Sequence, residues 1–398
     1  MRVLAVIITS PSYAASGAVT AAKNLSRATA DLCEMQLAIM ANDNKEEQVD
    51  NLIIKHFKCS NRLPMFADKT PNQIKNSFWT SNIGKYIEEF KPDVVHFHNP
   101  VPPLALWDLA KVCLKNKIPY VISSHGFVEM FDYKKSYNIG FLKGLAINPM
   151  ILNPFMKTLE NAASIFLLSP NEREILENNM NFKRKISVIP NGYDKMYEKN
   201  ANNEVIAECK IKFNIQANKP IFLYIGNHTY NKGIDILLNS LRYIEEDCQI
   251  IIGGKIRSKK DNQALIDSCS LSEDESRFIF TDFLSDDEAI ALYHLADCFI
   301  FPTRADTFPL VILEAMISGL PVISTKVGGI PYQINSNCGV LIEPDSPKEL
   351  ASSVEDFINN PTRMNDMGVN AKDRVMSNFT WEKSANIAFD AYNELLSK

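Results

Sequence analysis

The sequence predicts an α/β protein with two parallel sheets, each in a domain of its own. The first observation is length, because 398 residues are more than one hydrophobic core usually serves. The second is an alternation of short Val/Ile-rich runs with longer segments of helical period, which is typical of parallel strands covered by helices on both faces. The third is that this alternation restarts after the segment KISVIPNGYD, residues 185–194.

The first half contains the strand-like runs VLAVII, MQLAIM, DVVHFH and PYVISSH, with helical segments at 18–31 and 104–117. This order predicts a Rossmann-like domain over residues 1–190. The N-terminus also resembles a short signal peptide, since Arg2 precedes an apolar run and small residues follow. That run is short and rich in Val and Ile, so we favour a buried first strand.

The second half contains the runs PIFLYIG, CQIIIGG, FIFTDF, CFIFP, PVIST and CGVLIE, again separated by helical segments. They predict a second Rossmann-like domain over residues 191–378, although the two halves share no repeat in sequence. Residues 379–398 contain a closing helix, WEKSANIAFDAYNELL, which is compatible with packing on either domain.

Composition excludes several classes of partner. A net charge of -5, with no basic run longer than KRK at 183–185, gives no electrostatic reason to expect nucleic acid. The eight cysteines include no C-x-x-C pair, which fits neither a zinc site nor a disulfide framework and indicates a reducing compartment such as the cytoplasm.

No stretch approaches the roughly 20 apolar residues that span a bilayer. The nearest candidate is residues 138–156, NIGFLKGLAINPMILNPFM, which Lys143 and two prolines interrupt. We favour one or two helices facing an interdomain cleft, and the alternative is peripheral association with a membrane surface.

Ligands of open parallel sheets bind beyond the carboxyl ends of the strands, so two facing sheets predict a cleft lined by the loops that follow them. Glu314 is the single carboxylate in a predicted helix at 308–318, which has Pro309 in its first turn and Gly319 at its end. Every face of this helix is apolar, so Glu314 needs a partner. An internal salt bridge, backbone hydrogen bonds and the two hydroxyls of a ribose all remain open. Asp306, just before the helix, is compatible with contacting a ligand or with capping the helix.

Three further features follow predicted strands. Lys232 opens a helix after YIGN and is either a point charge for phosphate or a surface lysine. The glycine-containing loops SYAASG, with Ser16 and Gly17, and TKVGGIP allow backbone N-H groups to approach a ligand closely. His125, in ISSHG, would face the cleft, although a structural role is the commoner fate of a single histidine.

The motifs that the sequence lacks narrow the range of possible enzyme classes. No D-x-D triplet occurs, which removes the usual carboxylate device for holding a divalent ion on a sugar nucleotide. The absence of G-x-G-x-x-G after the first strand and of G-x-x-x-x-G-K-[ST] weakens the dinucleotide oxidoreductase and P-loop hypotheses.

With these residues the sequence resembles the family 4 glycosyltransferases of group 1 type, which are retaining enzymes of the GT-B fold. The resemblance covers most of the chain and is strongest over residues 185–345. KISVIPNGYD resembles the interdomain strand of the family, and YIG with Lys232 and Gly233 resembles its phosphate-binding turn. DTFPLVILEAMISGLPVISTKVGGIP resembles the donor-site signature, which is the most specific of the three.

The resemblance implies roles for individual residues. Glu314 would bind the nucleotide ribose, and Asp306, in place of a family glutamate, would contact hydroxyls of the donor sugar. Lys232 would bind phosphate. The family carries an arginine after the glycine of this turn, whereas Asn227 follows Gly226 here, and Arg304 and His228 are the candidates to compensate.

In the first domain, Ser16 and Gly17 match the glycine-rich loop, with Ser in place of its first glycine. His125 matches the histidine near the reacting sugar. The departing diphosphate would be stabilised by Lys232 and by backbone N-H groups in the run Thr307, Phe308, Pro309 and Leu310.

The implied activity is metal-independent transfer of a sugar from a nucleoside diphosphate sugar, commonly a UDP-sugar, to an acceptor hydroxyl. The acceptor would be a glycan or a lipid-linked glycan bound by the first domain, and the role would be surface polysaccharide biosynthesis, in the cytoplasm at the inner face of the membrane. Two alternatives remain: a non-catalytic nucleotide-sugar-binding subunit, motivated by Asn227, and a sugar-nucleotide epimerase, which would need no acceptor.

Overall fold

The computed structural model describes residues 1–9, 17–62, 78–99, 102–125, 152–180, 182–216, 218–254, 267–269 and 277–397. The chain forms two compact units, one of Met1–Gly192 with Trp381–Lys398 and the other of Tyr193–Thr380. The closing segment thus belongs to the first unit, a question that the sequence left open. Of the candidate membrane-surface segment, residues 138–151 lie outside the described residues, and residues 152–161 are helical.

The first unit is built on a sheet of nine strands over the described residues. The strands are β1 (Arg2–Ile7), β2 (Glu34–Ala41), β3 (Lys45–Val49), β4 (Leu52–Asn61), β5 (Trp79–Ser81), β6 (Val94–His98), β7 (Tyr120–Ser123), β8 (Ser164–Leu167) and β9 (Ile186–Val188). Their order is β3-β4-β2-β1-β6-β7-β8-β9, with β5 also pairing with β4. Its helices include α1 (Gly17–Thr29), α2 (Ile83–Phe90), α3 (Pro103–Lys115) and α4 (Glu172–Asn179).

The central strands are parallel, as predicted, but β3 and β5 run antiparallel to β4. These edge strands were not predicted, because β3, KEEQV, is charged at most positions and gives no apolar run. Two residues connect β3 to β4, and the first of them, Asp50, has a φ of 52°. The ten-residue strand β4 and the four-residue strand β8 were also missed.

The second unit is built on a six-stranded parallel sheet in the order β12-β11-β10-β13-β14-β15. The strands are β10 (Ile221–Ile225), β11 (Gln249–Gly253), β12 (Phe278–Phe280), β13 (Cys298–Phe301), β14 (Val322–Thr325) and β15 (Gly339–Ile342). Every strand predicted for this half is present. The order reverses direction between β10 and β13, which is the place where ligands of doubly wound sheets bind.

The remaining helices are α5 (Asn203–Lys212), α6 (Ile234–Ser240), α7 (Asp286–Leu295), α8 (Leu310–Ile317), α9 (Ile330–Gln333), α10 (Pro347–Asn359), α11 (Pro361–Asn378) and α12 (Trp381–Leu396). Short 3-10 turns occur at Lys195–Glu198 and Tyr230–Lys232. Helix α12 packs against α1 in the first unit.

Helix α8 begins two residues later than predicted. Pro309 is its N-cap and not part of its first turn, because a ψ of 126° keeps this residue extended. The predicted stop is confirmed by Gly319, whose φ of 88° lies in the left-handed region.

Alternation along β1 shows how the first sheet is buried on both faces. Leu4 and Val6 pack in one apolar cluster with α2 and α3, while Val3 and Ile7 pack in another with α1 and α12. Six of the eight cysteines are buried and none is in a disulfide. Among the described residues, no helix is both long and apolar enough to cross a bilayer.

Candidate functional site

The predicted site residues of the second unit lie beyond the carboxyl ends of β10 and β13, on either side of the strand reversal. Lys232 and Asp306, 74 positions apart in sequence, form an ion pair between Nζ and Oδ2. Their side chains are 24% and 16% exposed. The Lys232 ammonium also lies 5.5 Å from the centroid of the Phe301 ring. The fold therefore brings together the predicted phosphate-binding cation and the predicted sugar-binding carboxylate.

Two glycines allow the loops around this pair to touch backbone to backbone. Gly233 has a φ of 69°, and a Cβ there would lie 1.9 Å from the Pro302 carbonyl oxygen. Gly328 has a φ of 52°, and a Cβ there would lie 1.8 Å from the Asp306 carbonyl oxygen. Any other residue would be strained and would push the loops apart. Gly328 thus lets the loop TKVGGIP pack directly against the backbone of Asp306. The sequence had not suggested this role.

Glu314 is the fifth residue of α8, about one turn from the N-terminus of the helix. The Tyr293 hydroxyl donates a hydrogen bond of 3.1 Å to its Oε2 atom, and the Tyr197 ring packs edge-on against Tyr293 at 5.5 Å. The predicted internal partner is therefore a phenol, neither a salt bridge nor backbone. This contact occupies one carboxylate oxygen, and a carboxylate has acceptor capacity for further hydroxyls.

The environment of Glu314 disfavours its charged form. Its pKa is raised from 4.5 to about 7, chiefly by desolvation and also by the carboxylates of Asp194 and Asp286, while the Tyr293 hydrogen bond acts in the opposite direction. A group that titrates near neutral pH inside a helix is unusual for structure alone, because burying it destabilises the fold.

Two models of known protein families match the chain, one in each half. Residues 205–374 match "Glycosyl transferases group 1", and residues 15–196 match "Glycosyltransferase Family 4". The chain belongs to the family 4, group 1 glycosyltransferases. It is 26% identical over 315 residues to an uncharacterized glycosyltransferase, MJ1607, of Methanocaldococcus jannaschii, covering 76% of this chain and 75% of that protein.

Solved structures show the same fold. A sucrose-phosphate synthase from Thermosynechococcus elongatus matches with a TM-score of 0.75, 21% identity and full coverage of both chains. Anabaena HepE in complex with UDP matches with a TM-score of 0.73 and 17% identity, covering 99% of this chain and 100% of HepE. A further HepE structure contains UDP-glucose. The glycosyltransferase described here therefore has the GT-B fold.

Arg304 is one candidate to replace the arginine that the family carries at the position of Asn227. Its side chain is already engaged in ion pairs and hydrogen bonds within the second unit. Its guanidinium binds both carboxylate oxygens of Asp235 at 2.7 Å, Asp345 at 2.6 Å and the Tyr230 carbonyl at 2.7 Å. It also lies over the Tyr230 ring at 3.9 Å. These contacts fix the turn after β10 to the loop after β13, so the geometry favours a structural role for Arg304.

The turn after β10 has a neutral residue where the family has a cation. Asn227 is exposed, and its carbonyl accepts hydrogen bonds from Tyr224 and from the Thr229 N-H. Gly226 donates its N-H to the Gly253 carbonyl at 3.0 Å. His228 is buried between the Tyr224 and Phe280 rings, at 6.5 and 5.7 Å, so it packs inside the unit.

The residues before α8 can offer a ligand backbone groups more readily than side chains. Phe308 is 3% exposed and packs against Phe379 at 5.7 Å. Pro309 has no N-H, so the predicted set of donors reduces to Thr307, Phe308 and Leu310. The Thr307 carbonyl is used by the Gly329 N-H at 2.8 Å.

In the first unit, His125 follows β7 and stacks near His98, the last residue of β6, with ring centroids 6.0 Å apart. Burial lowers the pKa of His125 to about 4. Gly17 is the first residue of α1, and a Cβ there would meet no atom within 4 Å. Ser16 and most of the loop SYAASG lie outside the described residues.

Tyr293 and His98 were not predicted from the sequence. Tyr293 had no signal, because its helix carries apolar residues of ordinary kinds. His98 had one: the strand run VVHFH places two histidines at alternate positions in a strand that is otherwise apolar.

Proposed function

We propose that this glycosyltransferase moves a sugar from a nucleoside diphosphate sugar to a hydroxyl of a glycan or lipid-linked acceptor, with retention of anomeric configuration. The observation that carries the proposal is the arrangement of Lys232, Asp306 and Glu314 around the strand reversal of the second sheet. A cation, a sugar-binding carboxylate and a diol-binding carboxylate are the groups that a nucleotide sugar requires.

The donor would be held at three points. Glu314, with one oxygen on Tyr293, accepts the ribose hydroxyls at its remaining lone pairs. Lys232 has three N-H donors, so it can bind diphosphate oxygens while it keeps its contact with Asp306. Asp306 then lies next to the phosphate-bound sugar and accepts hydrogen bonds from its hydroxyls. The complexes of HepE with UDP and UDP-glucose favour a UDP-sugar as donor.

The chemical step needs stabilisation of the departing diphosphate. We propose that Lys232 and the N-H groups of Thr307, Phe308 and Leu310 supply it, without a metal ion. No described side chain of this set is an evident covalent nucleophile, so the acceptor attacks from the face that the diphosphate leaves. The diphosphate oxygen takes the acceptor proton, and His125 orients the sugar. Assembly of a surface polysaccharide at the cytoplasmic face of a membrane extends this proposal to the cell.

The first test measures thermal unfolding with UDP, GDP, ADP, CDP and dTDP, for the wild type and Glu314→Gln. A ligand at a hundredfold excess over its Kd adds about 2.7 kcal/mol of stability. We expect UDP alone to raise Tm by several degrees and the variant to lose this effect. If no nucleotide shifts Tm, the donor-site proposal is wrong.

The second test measures transfer. The wild type is incubated with the UDP-sugar and candidate acceptors, and released UDP is followed with and without EDTA. We expect acceptor-dependent release that EDTA leaves unchanged. Loss of activity with EDTA, restored by a divalent cation, would contradict metal independence.

Asn227 favours a second candidate, a subunit that binds a nucleotide sugar without catalysis. The exposed amide adds no positive charge, and Arg304 is engaged elsewhere. Asn227→Arg restores the family cation at this position. A wild type that binds UDP but transfers nothing, together with an Asn227→Arg variant that transfers sugar, would support this candidate.

A further inference from the structure

Buried polar atoms without hydrogen-bond partners concentrate at the carboxyl edge of the first sheet. They belong to residues at the end of, or just after, three adjacent strands, β6, β7 and β8: His98 Nδ1 and Nε2, Ser124 Oγ, His125 Nε2, Ser169 Oγ and Glu172 Oε1. The Ser124 hydroxyl lies close enough to Glu172 to favour the charged carboxylate, but not in the geometry of a formed hydrogen bond. Such atoms are rare in folded proteins, and each one calls for a physical reason.

His98 is the extreme case. Its side chain is 1% exposed, and neither ring nitrogen has a hydrogen-bond partner. Leaving one buried polar group unsatisfied costs about 1–3 kcal/mol. A phenylalanine ring would fill a similar space without this cost, so stability does not account for a histidine at this position.

Two other imidazole rings contact His98. The His96 ring centroid lies 3.9 Å away with an interplanar angle of 32°. The His125 ring centroid lies 6.0 Å away at 28°. Residues 96 and 98 share one face of β6 because side chains alternate along a strand. We call this series of ring contacts, His96 to His98 to His125, the row; its last member is the histidine predicted to contact the donor sugar.

The far end of the row is fixed. His96 hydrogen-bonds to the Tyr392 hydroxyl of α12 at 2.6 Å and to the Ser123 hydroxyl of β7 at 2.7 Å. With both nitrogens engaged, the His96 ring cannot rotate or flip without breaking a buried hydrogen bond. Its orientation is therefore set by the closing helix and the neighbouring strand.

The row consists of neutral rings. Burial lowers the pKa of His96 to about 3 and that of His98 well below its ordinary value, and the neighbouring histidines lower the latter further. Three imidazolium ions at these distances would repel one another, whereas neutral rings can stack.

We propose that His98 is a positioning residue that fixes the orientation of the His125 ring against which the transferred sugar is held. The inference rests on the proposed function, since it is the proposed sugar contact of His125 that gives this orientation its importance. Tyr392 of α12 holds the His96 ring, the His96 ring contacts His98, and His98 contacts His125. The ring nitrogens of His98 are shielded from solvent, so it acts through His125 and does not touch the sugar.

The test uses His98→Phe, which keeps a ring and removes the nitrogens, and His98→Leu, which is smaller in case Phe is too large for the space. We expect both variants to lower kcat by about tenfold or more, while KM for the donor changes by less than about threefold. Combined with His125→Ala, His98→Phe should slow the enzyme no further than His125→Ala alone. Additive losses in this cycle, or wild-type kcat in both single variants, would overturn the proposal.

His96→Phe is the matched control. It removes two buried hydrogen bonds, so Tm should fall, whereas His98→Phe removes none and should leave Tm equal or higher. A merely structural role for His98 predicts a fall in Tm like that of the control. A rise in donor KM of more than about tenfold with kcat unchanged would instead show that His98 contacts the substrate.

A second readout does not require transfer activity. The chain has six histidines, so the imidazole NMR signals can be assigned by single substitutions. In His98→Phe the His125 ring signals should broaden or split, as the ring samples more than one orientation. Unchanged His125 signals would overturn the inference, even if the wild type transfers no sugar and the proposed function itself fails.

Discussion

The Glu314→Gln variant should be more stable than the wild type above pH 7 and should lose nucleotide binding. Gln is close to Glu in size and keeps an acceptor for the Tyr293 hydroxyl, but it cannot ionise. The substitution therefore removes the partly buried charge and leaves the packing of α8 in place.

The magnitude follows from the pKa of Glu314, which burial raises from 4.5 to about 7. Between these values the folded state binds more protons than the unfolded state, so the free energy of unfolding falls as pH rises from 4.5 to 7. The loss is complete above pH 7 and amounts to about 3 kcal/mol, at 1.36 kcal/mol for each pH unit. Gln lacks this titration, so the variant should exceed the wild type by about this amount at pH 8 and be nearly equal at pH 5.

The assay is thermal unfolding of both proteins at pH 5, 6, 7 and 8. For a unit of this size, 1 kcal/mol shifts Tm by about 2–4 °C, so we expect the variant to melt at least about 5 °C higher at pH 8. Glu172, whose pKa is also raised to about 7, is present in both proteins and cancels in the difference. A Tm difference that does not change with pH, or a variant less stable at pH 8, would refute the reasoning.

Three further predictions concern the same unit. Tyr293→Phe removes the hydroxyl that favours the charged carboxylate, so the pH midpoint of UDP binding should rise, as measured by calorimetry across pH 5–9; an unchanged midpoint would contradict this. Lys232→Ala should lower kcat/KM by about 10² to 10³, the usual loss for one group that stabilises a leaving anion, in an assay of UDP release, and a loss below tenfold would argue against phosphate binding. Gly328→Ala should lower Tm by several degrees, because its Cβ would lie 1.8 Å from the Asp306 carbonyl oxygen. Gly17→Ala is the matched control and should leave Tm unchanged, because a Cβ there would have no atom within 4 Å.

Hydrophobic periodicity predicted the strands of the second sheet and the strands β1, β2, β6, β7 and β9 of the first, because buried parallel strands are continuous apolar runs, but it did not predict the parallel strands β4 and β8. It missed the edge strand β3, whose charged residues are held by pairing with β4 and not by burial. At the site, the sequence predicted the residue types but not their contacts. The ion pair of Lys232 with Asp306 joins two loops 74 positions apart, and only the strand order brings those loops together.

Each unit has a polar side chain whose desolvation destabilises the fold, close to the place where the order of its parallel strands reverses. In the first sheet the reversal lies between β1 and β6, and His98 ends β6. In the second it lies between β10 and β13, and Glu314 is in the helix that follows β13. Helices that leave a reversal point diverge to opposite faces of the sheet, so the edge there is open to a ligand. At this edge Glu314 can accept substrate hydroxyls at its remaining lone pairs, and His98 can act on a substrate through the His125 ring. The same groups in mid-sheet could do neither. At these positions a polar residue can therefore be retained where stability alone would favour an apolar one. His98 and Glu314 are two such residues.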